Sequence, residues 1–330
     1  MMRQLSNFFH YLLIIPVVSF RLVRINRVLK NLKEEVIKNP DWTSIISPKD
    51  FDLRLTQYVQ VHSLLDFSLC GLAGRKMSND ELKACVYFCA CLPLYDDFFD
   101  KSDLTEKEIK YLMNAPHGFE PKTSVQELFI YLLRVVYQNL PDSDLFGRYF
   151  EQLYYGQEES KKLIDPDLSR EEVEQIAFQK GGYSALLFRS VLKHPLIEGE
   201  EKALYQLGSV GQVLDDLFDL WDDLEEGINT IVTKFNNDFT PVFNKYLHEV
   251  EKLKVSFQKL NYEQKNKDKF IRELMLMVNG GTLCGQHYLK LQDKNGGVLD
   301  IQKIGREALI CDMEKRSNWL KMIKQSILNA

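Results

Sequence analysis

The chain has 330 residues, enough for one large domain or two ordinary ones, each with a sizeable core. It is 45% hydrophobic and 27% charged, as is typical of a globular protein. Its net charge of -5 argues against a nucleic-acid binder, which normally carries a basic face. Glycine and proline are sparse, and so few turn signals over long stretches favour an all-helical chain.

The chain begins with a short apolar run at residues 8–20. The run contains His10 and Pro16 and falls short of the ~20 residues that a membrane-spanning helix needs. Basic residues follow it, whereas a signal peptide has them in front. Two interpretations stay open: residues 1–45 form an extension packed on the helical body, which we favour, or residues 8–30 make a weak peripheral contact with a membrane.

Two helices are predicted next, and the second is expected to be central. Apolar residues recur at helical spacing in residues 48–74, and a helix start with acids in its first turn lies at residues 78–81. The helix that begins there runs to Asp100 and is apolar on nearly all sides. Pro93 is expected to bend it.

The cysteines form no framework of the secreted type in a chain this long, which indicates a reducing compartment and hence a cytoplasmic protein. Cys85 and Cys89 are one helical turn apart, but no pair of His or Cys residues completes a metal site. We interpret them as small buried packing residues.

The rest of the chain also has helical periodicity. A short helix is predicted to start at Thr105. Further helices are predicted at residues 123–140, 143–163, 169–194, 199–226, 239–262, 264–294 and 298–328. Gly181 and Gly182 are expected to break or kink one of these helices, and residues 279–281 to weaken another. No alternating strand pattern occurs, so we predict a single all-α domain over residues 46–330.

Two segments, residues 94–100 and 213–219, share a pattern of carboxylates at positions i, i+1 and i+4, on one face of a helix. Both are embedded in apolar sequence, where unpaired charges are costly, so we expect a cation between the two segments. Carboxylate oxygens suit Mg²⁺, with Mn²⁺ as an alternative, and leave positions open for a diphosphate. The expected metal ligands are Asp96, Asp97, Asp100, Asp215, Asp216 and Asp219.

These residues resemble the motifs of a class I isoprenoid synthase, the superfamily of trans-isoprenyl diphosphate synthases and class I terpene cyclases. Residues 96–100 match the first motif, DDxxD, and residues 208–219 match the second, GxxxQxxDDxxD. Between them, Lys180 and the two glycines after it resemble the family's diphosphate-gripping segment. The resemblance implies a terpenoid synthase-type helical bundle with a central apolar cavity, an isoprenyl diphosphate substrate and three Mg²⁺ ions.

The same resemblance implies roles for individual residues. Catalysis would depend on Asp96, Asp97, Asp215 and Asp216. Candidate diphosphate contacts are Lys180, Gln212, Lys234 and Arg316, with Arg189 and Arg306 as further candidates. Candidate cavity residues are Phe88, Cys91, Leu92, Gly182 and Tyr183. The modest size of the side chains shortly before the first motif implies a substrate chain of C15 or longer.

The chain departs from the elongating prenyl synthases at the site for a second diphosphate. Lys101 stands where those enzymes have an arginine pair, and acids at residues 222–226 replace their Gly-Lys. We interpret these acids, Asp223 included, as a solvated helix end, although Asp223 lies one turn after Asp219 and could reach a bound metal.

The departures favour a terpene cyclase that ionises one allylic isoprenyl diphosphate with Mg²⁺ and releases diphosphate. Two alternatives stay open. One is a trans-isoprenyl diphosphate synthase, either chain-elongating or condensing two allylic substrates. The other is a non-catalytic helical protein that binds an isoprenoid or a metal. We expect no nucleic-acid partner, and a homodimer is left open.

Overall fold

The computed structural model describes residues 2–100, 104–235, 237–311 and 315–329. No strand occurs among these residues, which confirms the all-α prediction. The helices are α1 Met2–Val36, α2 Pro40–Ile46, α3 Lys49–Leu72, α4 Asn79–Asp100, α5 Glu106–Asn114, α6 Ser124–Tyr137, α7 Ser143–Ser160, α8 Arg170–Ser190, α9 Glu200–Phe218, α10 Leu220–Glu225, α11 Thr240–Gln258, α12 Gln264–Lys294, α13 Ile301–Ile304, α14 Arg306–Leu309 and α15 Arg316–Asn329. A 3₁₀ turn, Lys161–Ile164, follows α7.

The chain divides into two compact units. The N-terminal unit comprises Leu13–Glu151 and Leu187–Pro195. The C-terminal unit comprises Met1–Leu12, Gln152–Leu186 and Leu196–Ala330. The domain boundary that we expect after residue 45 stays a prediction.

In the N-terminal unit, α4 packs between α3 and α6. Nearly every residue of α4 from Glu81 to Tyr95 is buried, as expected for a helix that is apolar all round. Ser78 begins the helix, because its hydroxyl oxygen accepts the N–H of Glu81 at 3.2 Å. The first acidic motif therefore stands at the end of a deeply buried helix.

Helix α1 packs on the N-terminal unit through one stripe of side chains. Ile25, Leu29, Leu32 and Val36 recur on one face and are buried. The hydroxyl groups of Tyr87 in α4 and Tyr131 in α6 both donate to one carboxylate oxygen of Glu35, which ties the end of α1 to both helices. In the described part of the chain, no helix is both long and apolar enough to cross a membrane.

In the C-terminal unit, α9 packs against α11 and α12. Two glycines of α12 allow the close approach of α11. A Cβ on Gly281 would lie 2.5 Å from the Tyr246 hydroxyl oxygen, and one on Gly285 would lie 2.2 Å from the Phe243 ring. Helix α12 is continuous across residues 279–281, so no break occurs at the expected weak point. The glycine at 281 serves packing instead.

Two predicted helices are divided in the structure. The one predicted at residues 199–226 is interrupted at Asp219, between α9 and α10. The one predicted at residues 298–328 contains α13, α14 and α15. Gly305 separates the first two of these with a φ of +79°, a backbone conformation that residues with a side chain rarely adopt.

Candidate functional site

Helices α8 and α9 meet through two glycines. A Cβ on Gly208 would lie 1.9 Å from the carbonyl oxygen of Gly181, and a Cβ on Gly181 would lie 2.4 Å from the carbonyl oxygen of Gly208. Helix α8 runs without interruption through both Gly181 and Gly182, so the predicted helix break is wrong. The glycines bring two backbones together, and this contact places Lys180 close to the second acidic motif.

The second motif forms one wall of a cavity of about 170 Å³ in the C-terminal unit. Its residues Gln212, Asp215, Asp216 and Asp219 recur at the spacing of one helix face. The residues that line the cavity are Leu163, Ile176, Ala177, Lys180, Gln212, Asp215, Asp216, Asp219, Asp223, Ile228, Asn229 and Thr230. The structure therefore brings together five of the predicted site residues, from Lys180 to Asp219.

Asp216 is the most deeply buried acid of this cavity, at 5% exposure. The Gln212 side-chain amide donates to its Oδ1 at 3.0 Å. Its other oxygen, Oδ2, is buried and has no hydrogen-bond partner among the described residues. A buried carboxylate oxygen without a partner is costly and calls for a cation or a proton.

The four acids of the cavity resist ionisation. Burial, reinforced by neighbouring carboxylates, raises the pKa of Asp216 to about 7, of Asp219 to about 6 and of Asp223 to about 8. Burial also raises the pKa of Asp215, although the nearby Lys180 charge partly offsets this effect. Asp215 and Asp219 are exposed to solvent and also line the cavity. The cluster is short of positive charge.

Part of the cavity wall is apolar. Ile176 and Ala177 lie one turn before Lys180 on the same face of α8. Asn229 fixes the 3₁₀ turn beside them, since its side-chain amide donates to the carbonyl oxygens of Leu163 at 2.7 Å and Asp165 at 2.8 Å. Sequence reasoning missed this wall, although the one-turn spacing from Lys180 could have indicated its α8 residues.

The acids after the second motif have two environments. Glu225 and Glu226 are exposed, in agreement with a solvated helix end. Asp222 is also exposed and lies 3.5 Å from the guanidinium of Arg306. Asp223 is half-buried and lines the cavity. For Asp223 the interpretation as a solvated helix end is therefore wrong, because its side chain is half-buried and lines the cavity.

Other predicted diphosphate and cavity residues lie elsewhere. The Lys234 ammonium donates to the carbonyl oxygen of Pro166 at 3.1 Å, and Lys234 does not line the cavity. The side chain of Arg316 lies outside the described part. Gly182 accommodates the ring of Tyr205, which would lie 2.5 Å from an added Cβ, and Tyr183 contacts the same ring edge-on at 5.4 Å.

Arg189 is buried in the N-terminal unit, where its guanidinium donates to the carbonyl oxygens of His194 at 3.0 Å and Pro195 at 3.1 Å. These bonds hold the loop after α8. Because the Arg189 side chain is buried and its guanidinium is bound to these carbonyl oxygens, Arg189 is not available for diphosphate.

The first motif lies in the last turn of α4, in the N-terminal unit. Asp96 is half-buried, and the side chains of Asp97 and Asp100 lie outside the described part. Phe98 packs edge-on against Phe129 at 5.2 Å in the core.

The predicted cavity residues of α4, Phe88, Cys91 and Leu92, are all buried in the N-terminal unit. The Phe88 ring packs edge-on against Phe146 at 5.4 Å and Phe188 at 5.1 Å. The role of these residues in holding a hydrocarbon chain stays a prediction.

Outside the cavity, Cys70, Glu81 and His194 have potential metal-ligand atoms within 4.8 Å of one another, which no three of the cavity acids do. The Glu81 carboxylate, however, accepts two bonds from Arg75 and one each from the backbone N–H groups of Ser78 and Lys193. These bonds use its four acceptor positions. A cation would have to displace Arg75, so we interpret this group as an ion-pair network.

Comparison with models of known protein families gives no match for this chain. Comparison with curated proteins gives no significant match either. Function must therefore be inferred from the residues of the cavity itself.

Proposed function

We propose that this chain is a class I terpene synthase that ionises an allylic isoprenyl diphosphate, of C15 or longer, with Mg²⁺ and releases diphosphate. The observation that carries the proposal is the buried Oδ2 of Asp216, which has no partner among the described residues and lies in a cavity with three further acids. This arrangement is what a divalent cation would satisfy.

The donors of the cavity fit Mg²⁺. They are oxygens of carboxylates, with no thiol or imidazole among the residues that line the cavity. Mg²⁺ prefers such hard ligands and commonly combines one or two carboxylates with substrate phosphates, and Mn²⁺ has similar preferences. When bound, the cation neutralises the charge that develops on the leaving diphosphate.

The protein side chains would bind and orient the substrate around that cation. Gln212 holds Oδ1 of Asp216 and so leaves Oδ2 for a cation. Lys180 lines the same cavity and supplies a positive charge for diphosphate oxygens. The apolar wall formed by Ile176 and Ala177 would exclude water from the bond that breaks.

Two alternatives share this chemistry in part. A trans-isoprenyl diphosphate synthase is supported by the intact GxxxQxxDDxxD pattern in residues 208–219. A non-catalytic isoprenoid- or metal-binding protein would keep the cavity without turnover. The part played by Asp96, Asp97 and Asp100 stays a prediction from the sequence.

Product analysis separates these functions. The full chain is incubated with C10 to C25 allylic diphosphates and Mg²⁺, with and without isopentenyl diphosphate. A terpene synthase forms a hydrocarbon or alcohol and free diphosphate without the second substrate. A longer diphosphate formed only with isopentenyl diphosphate identifies a chain-elongating enzyme. Binding without release of diphosphate from any of them would contradict both enzymatic functions.

A further inference from the structure

The junction between α9 and α10 is shaped by α12. The Tyr288 hydroxyl donates to the carbonyl oxygen of Leu217 at 2.8 Å, and the Cys284 thiol donates to the same oxygen at 3.3 Å. In an uninterrupted helix this carbonyl would accept the N–H of Trp221, four residues ahead. Two side chains of α12 therefore donate to a carbonyl oxygen that would accept an intrahelical hydrogen bond in a continuous helix.

The backbone turns directly after this carbonyl. Asp219 has φ -95° and ψ 7°, whereas a helical residue has a ψ near -42°. Helix α9 ends at Phe218, and α10 begins at Leu220. The turn coincides with the end of the second acidic motif.

The turn decides how near Asp223 comes to the other acids. In a straight helix Asp223 would lie about 10 Å along the axis from Asp216 and about 6 Å from Asp219. In the structure Asp216 and Asp223 line one cavity of about 170 Å³. The turn at Asp219 lies between them in the chain and sets the direction in which α10 leaves α9. The position of Asp223 in the cavity therefore depends on this turn.

Tyr288 is held firmly enough to act as a support. Its side chain is 1% exposed, and its ring packs edge-on against Phe239 at 5.2 Å. Burial raises the pKa of Tyr288, so the hydroxyl keeps its proton and remains a donor.

We propose that Tyr288, assisted by Cys284, is a positioning residue that holds the Leu217 carbonyl and thereby places the Asp223 carboxylate in the acidic cavity, where its charge strengthens binding of the cation. The role at the cation depends on the proposed function. Positioning of the α9–α10 junction does not, and it can be measured separately.

The test compares Tyr288→Phe with Tyr246→Phe in the full chain. Tyr246 is a matched control, because it is equally buried and its hydroxyl also donates to a backbone carbonyl, that of Val278 at 2.6 Å. Two quantities are measured: Mn²⁺ affinity in the presence of inorganic diphosphate, from the electron paramagnetic resonance signal of free Mn²⁺, and hydrogen exchange of the amides in residues 219–226.

We expect Tyr288→Phe to weaken Mn²⁺ binding by about 10- to 100-fold, as loss of an outer support of a metal ligand commonly does, and to speed exchange at the junction. Tyr246→Phe should bind Mn²⁺ like the wild type, and Cys284→Ser, which retains a donor, should do the same. Unchanged affinity in Tyr288→Phe, or equal loss in both tyrosine variants, would overturn the inference. Absence of Mn²⁺ binding by the wild type would overturn the proposed function and the role at the cation, while the exchange data would still decide whether Tyr288 holds the junction.

Discussion

The carbonyl oxygen of Gly181 lies so close to Gly208 that a Cβ on Gly208 would be only 1.9 Å from it. Helices α8 and α9 thus touch backbone to backbone at this point. Lys180 directly precedes Gly181 on α8, and the second acidic motif follows Gly208 on α9. The contact between the two glycines therefore sets the spacing between the Lys180 side chain and the acids of the cavity.

A methyl group at this contact should therefore be costly. We expect Gly208→Ala to lower the free energy of unfolding by about 1–3 kcal/mol, because two rigid backbones must separate. Gly211→Ala on the same helix is the control, since a Cβ there meets nothing within 4 Å. That change should raise the free energy of unfolding by up to about 1 kcal/mol, the difference in helix propensity. Urea denaturation measures both, and effects of the same sign would contradict this description of the contact.

The sequence predicted the helices well where periodicity alone determines them. Helix α12 has the predicted bounds, 264–294, because its apolar face repeats regularly and its ends carry polar residues. The break predicted at the two glycines of α8 does not occur. A glycine in a helix is compatible both with a break and with close packing, and only the opposing Gly208 decides between them.

The acidic cavity could be predicted in part. Lys180, Gln212 and the aspartates of the second motif were identified from type and spacing, and they do share one cavity. The turn at Asp219 could not be predicted, because its cause is remote in sequence: the side chains of Cys284 and Tyr288 bind the Leu217 carbonyl. Tertiary contacts of this kind leave no signal in local periodicity.

The lysines allow a test of which predicted contact serves the diphosphate. Lys180 lines the cavity, whereas Lys234 is bound to the Pro166 carbonyl oxygen. We expect Lys180→Gln to weaken binding of Mg²⁺-diphosphate by about tenfold or more, since a charge-assisted contact contributes roughly 1.5–3 kcal/mol. Lys234→Gln should change the affinity little. Titration calorimetry measures both, and a larger loss for Lys234→Gln would show that the wrong lysine has been chosen.

A buried acid in the N-terminal unit predicts a pH dependence of stability. Asp66 is 1% exposed, and burial raises its pKa from 3.8 to about 8. The folded state thus keeps a proton that the unfolded chain loses above pH 3.8. The stability associated with the protonated form is fully present below about pH 4 and is lost as the pH rises towards 8.

Asp66→Asn removes this titration. Its stability relative to the wild type should therefore increase steadily between pH 4 and pH 8. Asp80→Asn is the control, because Asp80 is exposed at the start of α4 and should show no such trend. Thermal unfolding across this pH range provides the measurement. A constant difference between Asp66→Asn and the wild type would mean that Asp66 is ionised in the folded protein.

The central claim is that the acids of the cavity enable the release of diphosphate. The direct measurement is Mg²⁺-dependent diphosphate release from an allylic C15 or C20 diphosphate, by the wild type and by the double variant Asp215→Asn/Asp216→Asn. Asp222→Asn is the control, because Asp222 is exposed and does not line the cavity. We predict release by the wild type and the control, and a loss of at least about a hundredfold in the double variant, which lacks two of the proposed metal ligands. Equal release by all three proteins would contradict the account.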